Sequence, residues 1–281
     1  MLLSKCACEI TFSPGMVFYH AAHSSPMEFT PVHGEPALLV RDPSTLVLAE
    51  LHIGIEFEIF NAGARIPGKT GEMRDRILKI VEENGVESIV FLGDLKHNVP
   101  ATSFTEASEI PLLIDVLSDA VGELHLIPGN HDGGIERYLS EDVTIHSSKG
   151  AVIKGVGMWH GHTWPSEEVM ASETVIVAHN HPGVVFVDGV GARTTERCWL
   201  RGKWKRDVVM ERYPDAGSGF IMVPAFNDLC GSSYINEEEP RLIGTVFRKG
   251  LANMDDSEIF LLDGTNLGRV ADNRVAVQRS K

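Results

Sequence analysis

Seven of the twelve histidines, His52, His97, His131, His160, His162, His179 and His181, stand beside or close to an acid, an asparagine or another histidine. An imidazole can ligate a metal or move a proton near neutral pH. Glu50, Asp94 and Asn130 add oxygen donors, so the chain holds enough mixed oxygen and nitrogen ligands for two divalent ions. Such a set suits manganese, iron or zinc better than calcium or magnesium alone. Two ions roughly 3.5–4 Å apart can activate water and neutralise phosphoryl oxygens. Hydrolysis of a phosphate ester is the chemistry to which these residues point.

These groups need a scaffold that gathers them. Residues 44–49, 88–92 and 123–127 are short aliphatic and β-branched runs that read as buried strands. Each runs straight into polar residues: Glu50-Leu-His52, then Gly93-Asp94-Leu-Lys-His97, then Gly129-Asn130-His131-Asp132 after a Pro-Gly turn. At a strand end, positions i and i+2 face the same way, so Glu50 and His52 could grip one cation. Between the runs, the spacing predicts a helix from Thr70 through Met73, Ile77, Ile80 and Val81, stopping at Asn84-Gly85. A second helix is predicted from the capping-box spacing of Ser103 and Glu106 and the apolar residues 110–116, with Pro111 implying a kink or a late start. The segment between His52 and Thr70, with Gly63, Pro67 and Gly68, reads as flexible. Alternating strands and helices with polar strand ends predict an α/β sheet whose site lies at one edge.

Beyond residue 140 the chain turns β-rich. Runs at 143–146, 151–154 and 156–159 lead to His160-Gly-His162, a short helix is expected at 166–172, and the run 174–178 leads to His179-Asn-His181-Pro182. Further strands are expected at 184–187, 198–204, 219–223 and 259–262. The first 26 residues fit none of these patterns and are expected to form a loosely ordered arm before a single domain over 27–281, although Val17-Phe18-Tyr19 could instead add a strand.

The net charge of −14 gives no global attraction to nucleic acid or to an anionic membrane, so a polyanion would have to be held by a local basic patch or by metal. Four cysteines lack zinc-ribbon or disulfide-framework spacing and read as free thiols in a reducing cytosol. No apolar run approaches the roughly 18 residues of a membrane span. A cytoplasmic protein without a membrane partner is expected, and a homo-oligomer stays open.

Glu50-Leu-His52, Gly93-Asp94, Gly129-Asn-His-Asp132, His160-Gly-His162 and His179-Asn-His181, in this order, resemble the five blocks of the calcineurin-like metallophosphoesterases. Gly93-Asp-Leu-Lys-His97, His179-Asn-His-Pro182 and Val223-Pro-Ala-Phe-Asn227 are similar to the archaeal phosphoesterases related to the SbcD nuclease. The resemblance implies a four-layer αββα sandwich with two central mixed sheets. It also implies one metal, most simply manganese, at Glu50, His52, Asp94 and His181, and a second at Asp94, Asn130, His160 and His179, with Asp94 bridging. His131 would stand beyond the metals as proton donor or charge stabiliser, and His97 would support it or touch phosphate. His162 and His97 could equally orient ligands by hydrogen bonds. Glu50 departs from the family's Asp: its extra methylene implies a retracted backbone or an altered, weaker first site, unless the neighbouring loops have adjusted to it.

Three functions compete. A phosphodiesterase or nuclease acting on DNA or RNA is favoured by a strip of Arg193, Arg197, Arg201, Lys203, Lys205 and Arg206 interleaved with Trp199 and Trp204. The same strip also reads as a solvated strand face with core tryptophans. A hydrolase of small phosphomonoesters or cyclic nucleotides would use the same centre, and a non-catalytic module of this fold is motivated only by Glu50.

Overall fold

The computed structural model describes residues 18–19, 27–41 and 44–276. Within them the first half of the chain forms a seven-stranded sheet and the second half a nine-stranded one, with no strand exchanged between the two. The first sheet runs in spatial order β1 (Phe18–Tyr19), β2 (Glu28–Pro31), β3 (Leu38–Arg41), β4 (Thr45–Leu48), β5 (Ser88–Phe91), β6 (Glu123–Leu126) and β7 (Val143–Ile145). Its first four strands are antiparallel neighbours, and β4 to β7 are parallel. The pairing of Phe18 with Phe29 and of Tyr19 with Glu28 is the described part of the expected arm. The rest of residues 1–26 lies outside the described residues.

Three α-helices and a 3-10 turn at Ile135–Tyr138 belong to this half among the described residues. α1 (Ile55–Asn61) occupies the start of the segment expected to be flexible, and a correction is needed there. It buries only Ile55 while Phe57 and Phe60 face out, so its sequence carries no apolar stripe. α2 (Thr70–Asn84) buries Met73, Ile77, Ile80 and Val81 on one face, and Gly85 caps it in the left-handed conformation. α3 (Phe104–Ala120) is started by a complete capping box between Ser103 and Glu106. It begins seven residues before Pro111, so the late start does not occur. α2 and α3 are the crossovers that make β4, β5 and β6 parallel.

The second sheet contains β8 (Ala151–Ile153), β9 (Val156–Trp159), β10 (Thr174–Val177), β11 (Pro182–Val187), β12 (Arg193–Trp204), β13 (Gly219–Met222), β14 (Ser233–Tyr234), β15 (Ala252–Leu261) and β16 (Asn266–Arg269). β9, β10 and β13 are parallel, whereas β12 runs antiparallel to β11, β13 and β15. Short helices α4 (Glu167–Ala171), α5 (Arg206–Val209) and α6 (Thr245–Arg248) bury Val169, Val209, Val246 and Phe247 on its outer face.

The core falls into three apolar layers. Leu46, Leu48, Ile89 and Phe91 meet α2 and α3 on one side of the first sheet. Val47, Val90, Ile127, Met158, Ile176 and Ile221 fill the space between the sheets. The alternation along β4 and β5 therefore serves two cores at once, which is why these strands read as continuous apolar runs. The architecture is the expected four-layer αββα sandwich with two mixed sheets.

Candidate metal centre

Parallel pairing aligns Leu48 with Phe91 and Phe91 with Leu126 in one sheet, and Trp159 with Val177 in the other. The loops that follow these five strands thus emerge at a common edge, carrying Glu50 and His52, Asp94 and His97, Asn130 and His131, His160 and His162, and His179 and His181. The backbone is strained there. Six non-glycine residues among those described have positive φ, and five of them are Glu50, His52, Asp94, His179 and His181, at φ 42–68°. Such conformations cost free energy and persist where the surroundings over-determine them.

Several ties hold the loops. Phe226 and Asn227 donate their N–H groups to the carbonyls of Ala49 and Glu50, and Asn227 Nδ2 donates to Leu51 O at 2.8 Å. These bonds join the second sheet to the first beside the site. Gly93, at φ 84°, lies so close to the His160 ring that an added Cβ would collide with it.

Three candidate ligand groups lie here: His52, His97 and His131 form one, and the two that contain carboxylates face each other. Glu50, His52 and His181 each offer an atom, all within 4.8 Å of one another, and Asp94, His160 and His179 do the same. Glu50 Oε2 lies 2.7 Å from His181 Nε2 and 3.0 Å from His52 Nε2. Asp94 Oδ2 lies 3.7 Å from His52 Nε2 and 3.5 Å from His160 Nε2, so one carboxylate oxygen looks into both groups. Asn130 Oδ1 is 3.3 Å from His160 Nε2. The Glu50 carboxylate is held at the back as well: Oε1 accepts the backbone N–H of His179 at 2.6 Å. The longer side chain has fitted partners here.

His131 donates its backbone N–H to Asp94 Oδ1 at 2.8 Å, and its ring Nδ1 donates to the carbonyl of His97. His97 Nδ1 is 3.2 Å from His52 Nδ1, and its Nε2 is 2.6 Å from Glu58 Oε2. A cavity of about 320 Å³ opens on His52, Asp94, Asn130, His131, His179 and His181. His162 is not on its wall. The His162 ring stands 5.2 Å from that of His160, and its Nδ1 is buried with no hydrogen-bond partner among the described residues.

The charge balance fits cations. Burial opposes ionisation of Glu50, but the charges of His181 and His160 and hydrogen bonds from His181 and His52 outweigh it and hold the carboxyl well below its ordinary range. Asp94 is lowered as well: burial raises it and the Glu50 charge adds to that, but His160 prevails. His160 is the counter-charge: against burial, Glu50 and Asp94 push it up to about 9. Burial and the charge of His160 push both His179 and His162 down to about 4, so their rings are neutral at pH 7. Two buried carboxylates ringed by imidazoles offer a divalent cation a completed ligand set in place of these protons.

Reading the sequence did not single out four residues that shape the site. Asp132, fully buried, accepts backbone N–H groups from Asp94, Leu95, Lys96 and Gly129. Burial and the nearby Asp94 raise its carboxyl. Glu106 closes the cap of α3 and also accepts the N–H groups of His97 at 2.8 Å and Asn98 at 2.6 Å. Glu58 meets His97, and Asn227 bridges the sheets. Asp132 lies in the Gly129–Asp132 block, Asn227 closes the Val223–Asn227 block and Glu106 belongs to the predicted capping box, but none of these signals pointed to these contacts, and Glu58 carried none. The basic and aromatic strip is not an aromatic platform, since Trp199 and Trp204 are buried in the cores. Arg197 pairs with Asp228 at 2.9 Å and Arg193 with Glu237 at 2.6 Å.

No family model matches the chain, and no curated protein matches it. Among solved structures it is similar to the crystal structure of Pseudomonas putida nuclease MPE, with a TM-score of 0.54 and 18% sequence identity over 89% of this chain and 100% of that one. The two proteins share the fold. No helix among the described residues is long and apolar enough to cross a membrane, and Cys198 and Cys230 are free thiols.

Proposed function

We propose that the chain is a metal-dependent phosphodiesterase or nuclease that works through two divalent ions. The observation that carries this reading is the pair of facing ligand groups with Asp94 looking into both. Glu50 Oε2, His52 Nε2, His181 Nε2 and Asp94 would hold one ion, and Asp94, Asn130, His160 and His179 the other. Manganese suits this mixture of carboxylate, amide oxygen and imidazole, with iron or zinc as alternatives. Divalent ions in such a pair supply water activation and neutralisation of phosphoryl oxygens.

The chain's own residues supply the rest. Asp94 is fixed by the His131 N–H on one oxygen, which leaves the other for the centre. The Nδ1 proton of His131 is committed to the carbonyl of His97, so Nε2 is the nitrogen left for substrate, and with a second proton taken up there the ring would hand it to a departing oxygen or steady the charge on phosphate. His131 lies on the cavity wall, where a substrate can reach it.

Nucleic acid as substrate accords with the Pseudomonas putida protein of the same fold being a nuclease. A small phosphodiester is favoured by a different observation. The adjoining cleft, of about 720 Å³, shares Ser232 and Ser233 with the cavity and is lined by Glu238, Glu239 and the Arg193-paired Glu237 against one cation, Arg241, a net acidic surface that disfavours a long polyanion. The test is metal analysis of purified protein, followed by manganese-supplemented assays on single- and double-stranded DNA, RNA, nucleotides and a chromogenic phosphodiester. Two bound ions in the parent, fewer in Asp94→Asn, and hydrolysis lost with that substitution are expected. Full metal content and turnover in Asp94→Asn would overturn the bridging assignment. Unimpaired chromogenic turnover with DNA in excess would assign the small substrate.

A further inference from the structure

Between His179 and His181 the chain buries an asparagine, and the cavity of about 320 Å³ opens on it as well. Asn180 is 1% exposed. Its Oδ1 accepts the backbone N–H of Ile243 at 2.8 Å, which fixes the orientation of the amide and leaves Nδ2 as the remaining polar atom of the side chain. Nδ2 is buried with no hydrogen-bond partner among the described residues. We infer that Asn180 binds substrate, its Nδ2 donating to an oxygen of the phosphate ester.

A buried donor without an acceptor costs free energy, and the exceptions in native proteins call for a reason. The chemistry of the group decides what it can take. An amide N–H only donates, so Nδ2 cannot ligate a cation, and Oδ1, the atom that could, is spent on Ile243. Asn130 is the opposite case: its Oδ1 lies 3.3 Å from His160 Nε2, among the candidate ligands. The partner that suits Asn180 is therefore an acceptor. No lysine or arginine among the described residues lines the cavity, so beyond His131 and any ion a phosphate there depends on uncharged donors such as this amide.

The backbone holds the amide in place. His179 and His181, on either side of it, have φ 68° and 42°. The turn they form is tied at each residue: His179 donates its N–H to Glu50 Oε1 at 2.6 Å, Asn180 donates its N–H to Ala178 O at 2.8 Å, and His181 O accepts the N–H of Ser233 at 3.0 Å. Ile243 is pinned as well. Gly244, at φ 79°, packs so close to Gly161 that an added Cβ would collide with the Gly161 carbonyl, and Thr245 Oγ1 donates to Thr163 O at 2.5 Å. This close approach sets the N–H of Ile243 against Asn180 Oδ1. The amide is thus gripped by its oxygen, and its donor end is left for what enters the cavity.

This inference rests on the phosphate-ester reading of the site, and its test separates the two. In Asn180→Asp the Ile243 N–H keeps an acceptor while both amide protons are removed, and Asn180→Leu removes them without adding charge. With saturating manganese and a chromogenic phosphodiester, both variants should raise KM about tenfold or more, the scale of a hydrogen bond to a charged group, with kcat within about threefold of the parent. Calorimetric titration with inorganic phosphate should show the same loss of affinity, and the metal content of Asn180→Leu should equal the parent's. In ¹H–¹⁵N spectra of the parent with zinc present, the side-chain NH2 pair that is missing from Asn180→Asp should move downfield when phosphate is added. KM and phosphate affinity within about twofold of the parent in both variants, or an NH2 pair that stays in place while phosphate binds, would overturn the proposal. A protein that binds phosphate and shows the shift, yet takes up no metal and hydrolyses no diester, would defeat the two-metal reading and leave Asn180 as an anion-binding residue.

Discussion

Asp132 Oδ2 accepts the backbone N–H of Asp94 at 2.7 Å, so a buried carboxylate holds the loop that carries Asp94. Its other oxygen takes the N–H groups of Leu95 and Lys96, and Oδ2 also takes that of Gly129. In Asp132→Asn an amide group faces two of these donors. Each buried donor left without an acceptor costs roughly 1–3 kcal/mol, so a loss of about 2–4 kcal/mol is expected in urea unfolding of the metal-free protein. A change below about 0.5 kcal/mol, the range of ordinary surface substitutions, would show that Asp132 does not hold this loop.

Glu50→Asp tests whether the site is built for the longer acid. Glu50 spans from the His179 N–H to the rings of His52 and His181, and a shorter side chain cannot keep both ends. Manganese binding weaker by about tenfold is expected, comparable to other losses of ligand support. Tighter binding would instead mean that Glu50 crowds its ion.

Replacing His131 by alanine removes no ligand from either group. Metal content should stay at the parent level while turnover slows by roughly 10²–10⁴, the usual loss for an acid–base group. Loss of an ion on this substitution would place His131 among the ligands.

Glu106 offers a pH test away from the ligands. Burial raises its carboxyl, but hydrogen bonds from Asn98 and Ser103 more than offset this and hold it below its ordinary 4.5. Its contribution is therefore fully present above pH 4.5 and is lost as pH falls through the lower, folded value. Glu106→Gln should be less stable than the parent by about 1–3 kcal/mol at pH 7, with the gap closing only below pH 4.5. A gap that is already closed at pH 6 would contradict this.

The strands and the cluster of candidate ligands at their ends were legible because each apolar run of β4, β5, β6, β9 and β10 stops abruptly at polar residues that the fold then gathers. α1 was not legible, because an exposed Phe57 and Phe60 with a single buried Ile55 leave no periodicity to detect. The roles of Asp132, Glu106 and Glu58 depend on which backbone N–H or ring nitrogen lies opposite, a property of tertiary contact rather than of spacing. Trp199 and Trp204 misled for a related reason: on β12, charged residues and tryptophans are interleaved whether the tryptophans face water or a core, and the second sheet's packing decides for the core.

Since no strand passes between the sheets, Glu50, His52, Asp94 and Asn130 all precede residue 146, and His160, His179 and His181 all follow residue 150. The single covalent crossing includes Ser147 and Lys149, both exposed. The protein is in effect a clasp closed by two successive lengths of chain, each supplying part of both candidate ligand groups that contain carboxylates. A nick at Lys149 would leave two fragments, neither with the full set of either of these groups, held together by the apolar seam and by the hydrogen bonds of Phe226 and Asn227 to residues 49–51. The candidate site then acts as a logical AND, complete only where both lengths of chain are present and docked.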